Sequence, residues 1–242
     1  MGQNWAIAIG INHYDNLKPL RYAQRDAETV CHFFRNIRFE QIYYFAENAP
    51  PIPQDYGAPM RSQPTYAVLS RFLRVRFEQS GFLNPEDNFW FFFAGHGKRT
   101  QGRDYLLPSD ADPGNLEGTA LPIRAIGDRL RRSGAGNIIL LLDACRDEDD
   151  RAGQGIGVER QQGVVTIFSC SPNQLSYEIE DLEQGAFTYG LLEGLQVQGE
   201  GNCATVDRLD QYLRHQVPAL NQRYGKPPQS PIPSLSLSIS GI

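Results

Sequence analysis

Two residues of this chain bring chemistry that neither packing nor solubility calls for. His96 follows the apolar run Asn88 to Ala94 (NFWFFFA) in the segment AGHG, and Cys145 follows Asn137 to Leu142 (NIILLL) in the segment DACRD. Each stands where a buried strand runs out, the carboxyl edge of a sheet whose strands run parallel. Gly95 and Gly97 flank the histidine, and glycine allows an unusual turn and close approach by a substrate. The cysteine has polar Asp143 before it and Arg146-Asp147-Glu148 after it, a poor setting for an inert buried thiol. A free thiol titrates near about 8.5, so it needs a neighbouring imidazole to carry much thiolate at neutral pH; the pair suits acyl transfer through a covalent intermediate. Taken alone, His96 reads as a satisfied core histidine and Cys145 as a small apolar filler, but two strand-end positions together favour the nucleophile and its proton partner.

The elements that must position this pair form an alternating series. Trp5 to Ile11 (WAIAIGI) reads as a strand covered on both faces, and Arg21 to Phe34 as a helix with apolar residues at three- and four-residue spacing. Ile42 to Phe45 reads as a second strand; Pro50, Pro51, Pro53, Pro59 and Pro64 then exclude regular structure. Thr65 to Gln79 reads as a helix with Arg71, Arg74 and Arg76 facing water. The aromatic run Asn88 to Ala94 belongs at the centre of the sheet, because a half-exposed strand could not hide it. A helix over 123–132 and the strand from Asn137 repeat the unit. Val164 to Cys170 reads as a further strand, Gly185 to Leu195 and Val206 to Val217 as helices, and Leu235, Leu237 and Ile239 as a last strand. This order predicts an α/β sandwich with a mainly parallel sheet.

Composition narrows the function. The 242 residues carry 23 Lys and Arg against 28 Asp and Glu, a net charge of −5, with no basic run that could track phosphates, so nucleic acid is not an expected partner. The longest apolar stretches fall well short of the roughly 18 residues of a membrane-spanning helix. The amino-terminal sequence shows neither a secretory nor a myristoylation pattern. The four cysteines, Cys31, Cys145, Cys170 and Cys203, lack both Cys-x-x-Cys spacing and the density of a disulfide scaffold, which points to a reducing cytoplasm. Cys31, Cys170 and Cys203 read as packing residues, and His13, His32 and His215 have no evident partner.

His96 precedes Cys145 by 49 residues, close to the roughly 50 that separate the histidine from the nucleophile in caspases. With Ile9 to Asn12 (IGIN), AGHG, LLLDAC, FSCSPNQLSYE and GAFTYGLLEGL in order along the chain, the sequence resembles the caspase-like cysteine peptidases, and within them the metacaspases and their prokaryotic relatives, the orthocaspases. The resemblance implies a three-layer sandwich with about six strands and helices on both faces. It implies one peptidase domain over 1–242, with a large-subunit-like part (1–150), a connector (146–163) and a small-subunit-like part (164–242). His96 and Cys145 would form the dyad, and the backbone N–H groups of Gly97 and Cys145 would hold the oxyanion. Caspases keep glutamine where this chain has Asp143. A carboxylate there, joined by Asp26 of the RDAE segment, implies a pocket for Arg and less readily Lys before the cut, since a planar guanidinium can bridge two carboxylates.

The Gly-rich composition of the connector suits a mobile segment, and Arg151 and Arg160 are candidates for self-cleavage by a basic-specific peptidase. Asp147, Glu148, Asp149 and Asp150, with Asp110 and Asp112, could supply oxygen ligands for calcium, but the paired aspartates expected around Leu121 and Pro122 are missing, so the expectation is no cofactor. Two alternatives remain: an Asp-specific peptidase with Arg21 or Arg25 turned into the pocket, and a catalytically silent caspase-like interaction module. The bland reading of Asp26 is a surface partner for Arg21 or Arg25, and that of Asp143 a carboxylate that orients a loop. The expected partners are protein or peptide substrates with a basic residue before the cut, with no nucleic acid and no membrane, and the chain acting as a monomer.

Overall fold

A computed structural model describes residues 2–54, 57–77, 81–145, 147–148, 163–197 and 206–235, with backbone alone at 147–148, 197 and 234–235. In chain order the strands are β1 (Asn4–Gly10), β2 (Gln41–Phe45), β3 (Asn88–Gly95), β4 (Gly97–Thr100), β5 (Arg103–Leu106), β6 (Leu121–Pro122), β7 (Asn137–Ala144), β8 (Asp147–Glu148), β9 (Val164–Phe168), β10 (Glu178–Ile179), β11 (Gln184–Gly185) and β12 (Ile232–Leu235). The helices are α1 (Ala23–Asn36), α2 (Tyr66–Phe77), the single turn α3 (Leu116–Thr119), α4 (Ile123–Arg132), α5 (Ala186–Val197) and α6 (Val206–Arg223).

Six strands form the central sheet in the order β12-β9-β7-β3-β1-β2, parallel everywhere except between β12 and β9. The aromatic strand β3 lies inside it, between β7 and β1, as its composition requires. Alternation sorts its side chains: Phe89, Phe91 and Phe93 pack with α2 and α4, while Phe92 packs with α1, α5 and α6. In β1 the same alternation sends Ile7 and Ile9 to the first face and Ala6 and Ala8 to the second. Two alanines under α1 leave room for that helix to lie close to the sheet, so its first turn reaches the carboxyl edge. The result is the three-layer α/β sandwich.

Several details differ from the sequence expectation. The last described strand is Ile232–Leu235, which begins ahead of the expected one and takes in Leu235; Leu237 and Ile239 lie outside the described residues. As an edge strand it tolerates Pro233. Helix α6 continues past Val217 through Pro218 to Arg223 because Leu220 and Asn221 are buried. Arg76 does not face water: its Nε donates to Tyr43 Oη at 3.0 Å and its guanidinium lies 4.3 Å from the Phe82 ring centroid. The small sheet β6-β5-β4-β8 at the carboxyl edge had no signal in the apolar pattern. Among the described residues no helix is long and apolar enough to cross a membrane.

Phe91 is fully buried at the centre of β3. Phe91→Ala is expected to lower unfolding free energy in urea by about 3–5 kcal/mol, and exposed Arg71→Ala by less than about 0.5 kcal/mol; equal losses would show that the sheet centre is not the core.

Candidate active site

Parallel pairing of β3 with β7 sets Gly95 opposite Ala144. The next residue of each strand, His96 and Cys145, leaves the sheet at its carboxyl edge, on chains that run about 4.8 Å apart. Both line one open cleft together with Asp26, Asp143, Ser176 and Glu178. The His96 backbone is held at both ends: its N–H donates to Tyr14 Oη at 2.8 Å, and its carbonyl accepts from the Leu107 N–H at 3.0 Å. The imidazole packs on the Tyr14 ring at 4.7 Å between centroids, and Nε2 lies 2.7 Å from the Lys18 carbonyl. A carbonyl only accepts, so Nε2 carries the proton of the neutral ring and Nδ1 is the nitrogen able to take one.

Cys145 is half-buried, and the Ser176 N–H donates to its sulfur at 3.4 Å. Ala144 just before it is fixed from β9 and the residues that follow: its N–H donates to Ser169 Oγ at 3.2 Å and its carbonyl accepts from the Cys170 thiol at 3.5 Å. Cys31 and Cys170 are buried, and burial pushes the Cys31 thiol up to about 12. Gly97 opens β4 hard against the end of β7, where an added Cβ would come within 2.6 Å of the Cys145 carbonyl oxygen; only glycine fits.

The two aspartates meet around Gly185. Asp26 is 2% exposed and accepts the Gly185 N–H at 3.0 Å. Asp143 is 6% exposed; its Oδ1 accepts from Ser176 Oγ, and its Oδ2 from Thr188 Oγ1 at 2.6 Å and the Thr188 N–H at 3.2 Å. A Cβ on Gly185 would lie 2.5 Å from Asp143 Oδ2 and 3.0 Å from Asp26 Oδ2, so both carboxylates crowd one point and the glycine leaves them room. Burial first, and the charge of Asp143 second, hold the Asp26 carboxyl well above the usual carboxylate range. Burial also raises Asp143, against the hydrogen bonds from Ser176 and Thr188.

Arg21 and Arg25 do not enter this space. Each forms an ion pair at the surface, Arg21 with Glu180 and Arg25 with Glu183, with side chains more than half exposed. Asp26 is thus no surface partner for either arginine, which corrects that reading. Asp110 Oδ1 accepts the Tyr66 N–H and Asp112 Oδ1 the Gly114 N–H, each bracing a turn. Among the described residues no group of three or more His, Cys, Asp or Glu is disposed to hold a metal ion. The side chains of Asp147 and Glu148, and Asp149, Asp150, Arg151, Arg160 and Cys203 altogether, lie outside the described residues.

Glu178, Ser176, Tyr14 and Lys18 were not singled out by the sequence. Glu178 adds a third carboxylate to the cleft while accepting the N–H groups of Arg21, at 2.9 Å, and Tyr22, at 2.7 Å, at the start of α1. Asn12 of the IGIN segment accepts the Gln24 N–H at 2.8 Å, so that helix is capped by residues remote from it. A lone glutamate in a polar stretch gives no signal of this. Tyr14 had one available sign, an aromatic residue two positions after a strand-ending asparagine.

Residues 3–238 match the caspase domain. The chain is 24% identical over 222 residues to a probable protease of a Desulfuromonadales bacterium, a match that takes in 83% of this chain and 26% of that protein. It is also 24% identical over 121 residues to a paracaspase of Dictyostelium discoideum, across 49% of this chain and 29% of the relative. The chain therefore spans less than a third of the length of either relative.

The buried pair makes a pH-dependent prediction. A carboxyl that titrates higher in the folded than in the unfolded state binds its proton more tightly when folded, so stability is lost as pH rises from about 4 through the folded value. Asn has no such proton to lose and still presents an oxygen to the Gly185 N–H. Asp26→Asn is expected to melt above the wild type at pH 8, by a margin that shrinks as pH falls toward 5; a margin independent of pH would mean that Asp26 carries no buried charge.

Proposed function

The chain belongs to the caspase-domain family, and from that membership we propose that it is a cysteine endopeptidase cutting after arginine, and less readily after lysine, within a single peptidase domain. The observation that carries the basic preference is the pair Asp26 and Asp143, buried in the cleft that His96 and Cys145 line while Arg21 and Arg25 face outward. Residue by residue, the caspase pattern supports His96 and Cys145 as the dyad. The Cys145 thiolate attacks the scissile carbonyl, and the backbone N–H groups of Gly97 and Cys145 hold the developing oxyanion; a donor of this kind is worth about 3–4 kcal/mol in the transition state. Collapse of the tetrahedral intermediate breaks the C–N bond, and the proton that His96 took from the thiol goes to the leaving amine. Water then hydrolyses the thioester with His96 as base.

In the pocket, a guanidinium about 4 Å from a carboxylate gains about 4 kcal/mol at an effective dielectric near 20, before desolvation. Its positive charge also relieves the repulsion that raises both aspartates. An Asp-specific pocket would have to bury a fourth acidic group among Asp26, Asp143 and Glu178 with no cation turned inward, which the paired state of Arg21 and Arg25 opposes. The reading needs no metal and takes proteins or peptides as substrates, with the chain acting as a cytoplasmic monomer.

Fluorogenic peptide amides ending in Arg, Lys or Asp test it. Hydrolysis is expected for Arg above Lys and none for Asp. Cys145→Ala should abolish it, His96→Ala should lower it by several orders of magnitude, and Asp143→Asn should cut kcat/KM for Arg by at least about 10²-fold. Cleavage after Asp, or full activity without Cys145, would sink the assignment, and a silent wild type would promote the interaction module.

Self-processing is a second expectation from the same specificity. Mass spectrometry of incubated wild-type protein should show a large fragment ending at Arg151 or Arg160 and a small one that co-elutes with it, both missing in Cys145→Ala. An active chain that stays whole after prolonged incubation would refute it.

A further inference from the structure

Gln229 follows α6 in the segment Pro227-Pro228-Gln229-Ser230-Pro231 and is fully buried. Its carboxamide makes all four hydrogen bonds open to it. Nε2 donates to the Ser169 carbonyl at 2.9 Å and to Ser176 Oγ at 3.1 Å; Oε1 accepts from the Tyr177 N–H at 3.1 Å and from Asn221 Nδ2 at 3.2 Å. Ser230 continues the fastening: its N–H donates to Gln174 Oε1 at 2.9 Å, and its carbonyl accepts from Ser171 Oγ at 3.1 Å. Two residues held between prolines thus tie down the whole segment 169–177.

That segment carries Ser176, which touches both halves of the cleft. Its N–H donates to the Cys145 sulfur and its hydroxyl to Asp143 Oδ1. A hydroxyl has one proton. Facing the Nε2–H of Gln229, Ser176 Oγ can only accept in that direction, so its proton is sent to Asp143. Resting on the peptidase reading of the cleft, we propose that Gln229 is a positioning residue of the site: it aims the Ser176 hydroxyl at the pocket carboxylate and holds the Ser176 N–H on the nucleophile.

Substitutions of similar size separate this from mere packing. Gln229→Met removes every donor and acceptor. In Gln229→Glu, the ionised carboxylate still accepts from Tyr177 and Asn221 but turns an acceptor toward Ser176 and the Ser169 carbonyl, drawing the hydroxyl proton off Asp143; when protonated its one O–H restores one of the amide's two donations. Around Gln229, α6 and the end of β9 present uncharged partners, Asn221 and Ser169, and the titratable groups reached through Ser176–Glu178 are Asp143, Cys145 and Glu178. The deficit of the glutamate variant should therefore grow with pH, which a purely structural defect would not do.

The experiment measures kcat/KM on an arginyl peptide amide per titrated active site, at temperatures below the onset of melting. The rate of Cys145 alkylation by neutral iodoacetamide, followed by peptide mass mapping, is measured alongside it. Relative to wild type, Gln229→Glu is expected to be within about threefold near pH 6 and down about tenfold or more near pH 8.5, with Gln229→Met down about tenfold at both. Alkylation should change at least about threefold in Gln229→Met, since the donor to the sulfur is loosened. Variants that match wild type in both measurements at both pH values overturn the proposal. A wild type that ignores arginyl substrates, with alkylation still altered in the variants, overturns the arginine reading while upholding the role of Gln229; unaltered alkylation in that case overturns both.

Discussion

The site depends on the register of β3 against β7. Because side chains alternate between faces, a slip of one residue would move Leu140 and Leu142 from the α2 and α4 side to the α1, α5 and α6 side and reverse Ile139 and Leu141. It would also put Cys145 out of step with His96. Buried residues on both faces oppose any such slip, and a polar ladder opposes it at the other end of the strands. Asn137 Nδ2 donates to Asn88 Oδ1 at 2.9 Å, and Asn88 Nδ2 donates to Asn4 Oδ1 at 3.0 Å, linking β7, β3 and β1 where they enter the sheet. The strands are thus indexed at their amino ends by asparagines and along their length by burial, and His96 and Cys145 inherit that register at the carboxyl ends.

The pocket works against the stability that the sheet provides. Two carboxyls are taken out of water around one glycine, and burial and mutual repulsion make their ionised forms costly. What keeps them in place is a set of donors turned toward them: the N–H of Gly185, the N–H and hydroxyl of Thr188, and the hydroxyl of Ser176. Titratable groups strained in this way mark sites of function more often than sites of structure. On the proposed arginine specificity, a cation would relieve the strain, so the free energy withheld in folding would be available to an entering basic side chain.

The sheet and its helices were legible because apolar residues recur at the right periods: Ile123–Arg132 was read to the residue, and β1, β3 and β7 to within two. The strand-end positions of His96 and Cys145 followed from the same pattern. The hairpin β4–β5 was not legible, since GKRT and RDYL carry little apolar alternation; its sign lies in the turn, where Gln101 and Gly102 both adopt left-handed backbone. Asp26 could be placed in the pocket only by resemblance, because what draws a charged residue of α1 inward is the Gly185 N–H, 159 residues away in the chain. Glu178 and Gln229 escaped for the same reason. Glu178 is held by backbone groups, which leave no trace in side-chain pattern, and Gln229 by two backbone groups and the remote side chains of Ser176 and Asn221, which periodicity does not pair with it.

Those distant contacts also bind together the parts of the chain on either side of the 146–163 segment. His96, Cys145, Asp26 and Asp143 precede it, and Ser176, Glu178, Gly185 and Gln229 follow it. The two groups are joined without its help: β7 pairs with β9 from Ile138 opposite Val164 to Leu142 opposite Phe168, and α5 packs beside α1 over the sheet. Hydrogen bonds cross at Asp26 to Gly185, Asp143 to Thr188, and Glu178 to the start of α1. A peptide bond adds little to an association already fixed by paired strands and a shared core, so cutting that segment would leave the pocket standing. Neither group could build the pocket alone, since the two aspartates come from the first and the donors that hold them from the second, while Glu178 of the second is held by donors of the first.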